Sequence, residues 1–166
     1  LGGHGGAGFA ILSDKLLEIE PLATGWMSSH RPFEMNTSNL DFSDSAMKYT
    51  QSTMSYVTIK GIEKSLKQIL ELNIQSIQEH SVSLSANFLK KIEGSEWRPF
   101  RPKEDTESSP HIIVIDKEGQ NITEIFNKLN QEKIIVSMRN NRIRISLAHY
   151  NSLDDINTLV EVLFRI

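Results

Sequence analysis

Residues 140–163 read NNRIRISLAHYNSLDDINTLVEVL, and three signals follow one another in them. The Asn140-Asn141 pair tolerates positive φ, which predicts a tight hairpin. Arg142 to Leu147 then alternate Arg, Ile, Arg, Ile, Ser, Leu, the pattern of a return strand with one polar and one apolar face. Asn151-Ser152 starts a helix, with Asp154 and Asp155 in its first turn, where the macrodipole favours acids. Ile156, Leu159, Val160 and Leu163 form that helix's inner stripe. Arg142 and Arg144 share the polar face of the strand, close to Arg139, while Ile143 and Ile145 face the helices. Two readings of these arginines stand side by side. One is a solvated charged face; the other is a guanidinium fork on a rigid strand, suited to a carboxylate or a phosphate.

Upstream, residues 134–138 predict a strand, and Asn121 caps a helix with Ile122, Ile125, Phe126 and Leu129 inward. HIIVID, residues 111–116, predicts a strand whose unbroken apolar run suits a buried position. Strand, helix, strand, strand, helix makes an α/β unit, a small sheet with helices on one face. Residues 95–110 read as a polar connector. Before it, Ile62, Leu66, Ile69 and Leu70 recur at helical spacing from about Met54. A second helix follows from about Ile74, with Ile77, Ser81, Leu84, Phe88 and Ile92 on one face and Gly94 closing it. Residues 50–53, TQST, precede the first of these helices. Ser52 or Thr53 can cap it, and a helix N-terminus also attracts phosphate. Residues 22–53 show no period, and so long an irregular stretch is usually functional or leans on another part of the protein. Residues 14–19 predict a short helix ended by Pro21.

The chain opens LGGHGGAGF, with five of its nine glycines in the first eight positions. Gly3, Gly5 and Gly8 fit the dinucleotide fingerprint by letter. That fingerprint needs a strand before the glycines and a helix after them. Nothing precedes Leu1, and residues 8–13 read as a short buried strand, so a tight glycine turn feeding a strand is the better reading. The chain starts abruptly, without an initiator methionine or a basic leader. Bulk composition narrows the rest. The chain has 166 residues, 39% hydrophobic and 23% charged, with net charge −3 and no cysteine. This balance points to neither nucleic acid nor an anionic membrane surface. Disulfides, thiolate metal sites and cysteine nucleophiles are excluded, and a reducing, cytoplasmic setting fits. No apolar run approaches the roughly 20 residues of a bilayer span. The five histidines lack metal-ligand spacing.

Four stretches together resemble the class V aminotransferase family of pyridoxal phosphate enzymes. They are LGGHGGAGFAILS, EPLATGWMS, KYTQSTMSYVTIKGIEKSL and NNRIRISLAHYNSLDDINTLVEVL. The resemblance implies the C-terminal portion of the family fold. Residues 1–53 would be the tail of the large domain with active-site loops, 54–73 the interdomain helix, and 74–166 a small domain with a short mixed or antiparallel sheet. It implies pyridoxal 5′-phosphate as cofactor, a small amino acid as substrate, and a homodimer with shared active sites. Thr53, with Ser52 where the family has glycine, would meet the cofactor phosphate. Arg144 would receive the substrate carboxylate, and Trp26 would border the pocket; Arg142 is left ambiguous. The Schiff-base lysine would lie upstream of Leu1, so this segment alone would be inactive. Cysteine desulfurases in the family use a cysteine before the closing strand; here Met138 to Asn141 fill that interval with no thiol, which argues against persulfide chemistry. The competing expectation is a non-enzymatic α/β module that binds a partner through its arginine face.

Overall fold

The computed structural model describes residues 5–36, 38–39, 41–101 and 109–166. The start of the glycine stretch, with Gly3 and His4, and residues 102–108 of the polar connector lie outside the described residues. The chain forms two compact units, Leu1–Ile69 and Leu70–Ile166.

In the first unit Gly6 turns the chain at φ 91, a left-handed angle natural to glycine. The buried strand expected at residues 8–13 does not form: Phe9 is 63% and Ile11 91% exposed, and the segment has no regular structure. A strand is stabilised by its ladder, and no described segment pairs with this one. α1 (Asp14–Leu17) follows. Two side chains from a later turn take its terminal carbonyls. The buried Lys48 ammonium donates to the Leu17 carbonyl. The Tyr49 hydroxyl lies 2.6 Å from the Leu16 oxygen and 2.9 Å from that of Ile19. The irregular region is organised by three 3₁₀ turns, Trp26–Ser28, Pro32–Glu34 and Ala46–Tyr49. An antiparallel bridge joins Ser29 to Phe42. α2 (Tyr56–Leu72) runs on across the boundary between the units.

The second unit holds the larger core. Asn73, at φ 69, turns the chain and caps α3 (Ile74–Ile92) by accepting from the Gln75 N–H. Gly94 at φ 76 follows that helix; the Ser95 N–H closes the turn on the Ile92 carbonyl. β1 (Trp97–Pro99), β2 (Ile112–Lys117), β3 (Ser137–Arg139) and β4 (Arg142–Ser146) make one antiparallel sheet in the order β1-β2-β4-β3. α4 (Ile122–Gln131) and α5 (Leu153–Arg165) complete the unit. Ile113 pairs with Ile145, and Ile115 with Ile143. All four are buried with Leu84, Phe88, Ile125, Leu129, Ile156 and Leu163 from the three helices. Each such side chain contributes about 1.5–3 kcal/mol by leaving water. The Trp97 indole enters this core and donates to the Leu163 carbonyl at 3.0 Å.

In the second unit three sequence expectations change. The connector at 95–110 contains β1, so the sheet has a fourth strand. The strand expected at 134–138 is only Ser137–Arg139. The HIIVID strand is buried on alternate residues rather than throughout.

Candidate active site

Ser28 is 2% exposed and ties three segments of the first unit together. Its hydroxyl accepts from the Gly25 N–H at 3.1 Å and donates to the Thr50 carbonyl at 3.0 Å. Its own N–H donates to the Gly25 carbonyl, and its carbonyl accepts from the Ser43 N–H, both at 2.9 Å. Gly25 itself lies flat against the next residue along: a Cβ placed there would stand 1.9 Å from the Gln51 carbonyl oxygen. Its backbone is extended (φ −157), so the demand for glycine is steric and comes from this close approach. Thr50 and Gln51 are thereby fixed by residues 25–28.

Ser52 and Thr53 come next in the chain. Both are exposed and lie outside regular structure. Neither caps α2, as the sequence had suggested. Ser55 directly precedes the helix, its carbonyl accepting from the Ile59 N–H at 3.0 Å and its hydroxyl 2.7 Å from that of Thr58. The Ser52 and Thr53 hydroxyls are left without a hydrogen bond among the described residues, and two free hydroxyl donors ahead of a 17-residue helix suit a phosphate. Trp26 stands beside the same lock, one residue from Gly25. Its ring meets Phe33 edge to face at 5.7 Å and borders a cavity of about 250 Å³ with Arg31, Met35, Asp41 and Phe42. Trp26 and Ser52 are thus each one residue from the contact between Gly25 and Gln51, with Thr53 one further along. Arg144 belongs to the second unit.

There, β4 carries Arg142 and Arg144 on the face opposite Ile143 and Ile145. Arg142 is neutralised: its Nε donates to Asp116 Oδ2 at 2.9 Å, and its guanidinium stacks on Phe100 at 4.1 Å. Arg144 has no acid partner among the described residues. Its Nη1 donates to the Ser146 hydroxyl at 2.7 Å, leaving other N–H groups of the fork unspent. It faces a hollow of about 750 Å³ that also receives Ser137, Tyr150 and Asn151. Ser137 pairs with Arg144 across the sheet, and its buried hydroxyl oxygen has no hydrogen-bond partner. Asp155, at the rim, is engaged in capping α5: it accepts from the Ser152 N–H at 2.8 Å, and Ser152 accepts in return. That backbone bond, helped by the Asn151 amide, holds its carboxyl below the ordinary 3.8.

Two of the histidines are held by hydrogen bonds. His80 Nε2 lies 2.8 Å from the Asn151 carbonyl and His111 Nδ1 2.8 Å from the Ser109 hydroxyl. No group of metal-ligating residues occurs among the described residues, and no described helix is long and apolar enough to cross a membrane. Two parts of the site escaped the sequence: the Ser28 junction and the neutralisation of Arg142. Gly25 beside Trp26 was the available signal for the first.

Residues 1–159 match the family described as aminotransferase class-V. An uncharacterized protein of Schizosaccharomyces pombe is 24% identical over 160 residues, covering 89% of this chain and 36% of that protein. Among solved structures, the cysteine desulfurase CsdA of Escherichia coli superposes with a TM-score of 0.78 at 19% identity, over 92% of this chain and 40% of that one. A cystine C–S lyase in complex with cysteine persulfide gives 0.77 at 16% identity, with the same coverages of 92% and 40%. At such identities these structures share the fold, and the chain spans about two fifths of the length of the proteins it is similar to. Taken with the antiparallel sheet that presents Arg144, the match places this chain in the class V aminotransferase family, whose cofactor is pyridoxal 5′-phosphate.

Proposed function

We propose that this chain is the C-terminal segment of a homodimeric pyridoxal phosphate enzyme acting on a small amino acid. Arg144 binds the substrate α-carboxylate, and Thr53, assisted by Ser52, binds the cofactor phosphate of the neighbouring subunit. Trp26 borders the pocket. The observation that carries this reading is the difference between two arginines on one strand. Arg142 already has its carboxylate, whereas Arg144 is held on the central part of the sheet with no acid partner among the described residues. A fixed, unpaired guanidinium facing a hollow is suited to a planar anion, and a carboxylate is bound best by two parallel N–H donors.

Bound pyridoxal phosphate supplies an electron sink for a bond broken at Cα. What this chain contributes is orientation. By fixing the carboxylate, Arg144 determines which Cα bond is presented to the cofactor. Transamination, epimerisation and elimination all need that clamp, and the lysine that would move the proton belongs upstream of Leu1. Without it this segment alone is inactive. Within this chain there is no thiol to carry sulfur, so the reading does not extend to the persulfide chemistry of desulfurases.

In the intact gene product, Arg144→Ala lowers kcat/KM for amino acids by about 2–5 kcal/mol of transition-state stabilisation. Steady-state kinetics on an amino-acid panel checks this. Undiminished kcat/KM on every substrate found removes the role assigned to Arg144.

A further inference from the structure

We propose that Ser28 is a positioning residue for the phosphate-binding segment, setting the cofactor affinity through Thr50 and Gln51 without touching the cofactor. This rests on the assignment of Ser52 and Thr53 to the phosphate. Those two residues are exposed and have no hydrogen bond of their own among the described residues to hold them. Their placement is inherited from the two residues before them. Thr50 is held by the Ser28 hydroxyl at 3.0 Å, and the Gln51 carbonyl rests in the space a Cβ at Gly25 would fill. Ser28 is also the only side chain in this junction that is both buried and hydrogen-bonded in two directions at once, accepting from Gly25 and donating to Thr50.

Removing its hydroxyl leaves a carbonyl and an N–H without their partner inside a closed junction. The backbone at 50–51 then relaxes, and Ser52 and Thr53 lose their fixed position relative to the helix that follows. The loss falls on the phosphate, because the backbone that shifts at 50–51 leads directly into Ser52 and Thr53.

The test compares pyridoxal phosphate with pyridoxal, which lacks the phosphate, by absorbance titration of the apo form of the intact gene product. Ser28→Ala and Thr53→Ala each weaken pyridoxal phosphate binding about tenfold, the effect of one lost hydrogen bond of about 1.4 kcal/mol. Pyridoxal binding is unchanged in both, and Ser28→Ala adds less than about twofold in the Thr53→Ala background, because the two act in one chain. Ser28→Cys, which keeps the packing but is a weak donor, gives a smaller loss of the same kind and serves should the alanine variant fail to fold. If Thr53→Ala shows the selective loss and the Ser28 variants do not, the positioning role is wrong and the phosphate assignment stands. Equal weakening of both ligands by the Ser28 variants also overturns it, since that is a general structural defect. If Thr53→Ala leaves the preference for the phosphorylated ligand intact, the phosphate assignment fails and takes this inference with it.

Discussion

Arg142 and Arg144 sit two residues apart on one face of β4, yet only Arg142 has an acid partner among the described residues. In the sequence the pair was legible as a shared face. Its division into a stacked, ion-paired residue and an unpaired one was not, because Asp116 and Phe100 reach Arg142 from β2 and from the segment after β1. The same limit applied to Ser28, whose partners are 3, 15 and 22 residues away. Local caps were easier to read, since their partners lie within one turn. Asn121 caps α4 as expected, accepting from Thr123 and Glu124. Asp155 yields a pH prediction at this scale. Its folded pKa lies below 3.8, so the stability it contributes is present above that value and is lost as pH falls through the folded pKa. Asp155→Asn therefore costs about 0.5–1 kcal/mol at neutral pH. The gap to the wild type closes on acidification below 3.8. Urea titrations at several pH values check both; a gap independent of pH contradicts the capping role of the carboxylate.

Among the elements, periodicity located α3, α4, α5, β2 and β4 because each buries a stripe or an alternate face in one core. Failures came where another interaction outranked the pattern. Ile134 to Val136 look like strand residues, but the end of α4 claims them. Lys133 adopts φ 61, its N–H returns to Asn130, and the Ile134 N–H returns to Leu129. This is a Schellman ending built without glycine, packing Ile134 against the core. β1 is three residues with a proline, and its tryptophan is fixed from α5, so no local signal announced it. The stretch at 8–13 has the composition of a strand and no partner. The hairpin was read correctly from its turn residues: Asn140 and Asn141 adopt φ 47 and φ 57, the paired positive angles of a type I′ turn. Asn141→Gly is accordingly neutral or stabilising by up to about 1 kcal/mol, whereas Asn141→Val destabilises by about 1–2 kcal/mol. Thermal denaturation of the two variants measures the difference; equal melting temperatures contradict the turn assignment.

At the scale of the whole molecule, the proposed reading draws on both compact units: hydroxyls before α2 in the first, and a guanidinium on β4 in the second. Neither group catalyses anything by itself. On the proposed reading, the cofactor lysine lies in the part of the family's length that this chain does not span, and the chain spans two fifths of the proteins it is similar to. The most direct measurement is the visible absorption spectrum of the intact gene product before and after borohydride, followed by peptide mapping. The account predicts a yellow band that reduction bleaches, with the label on a lysine a few residues before Leu1. A colourless protein that cannot be reconstituted with pyridoxal phosphate would contradict it, and would return the arginine face of the sheet to the role of a binding surface.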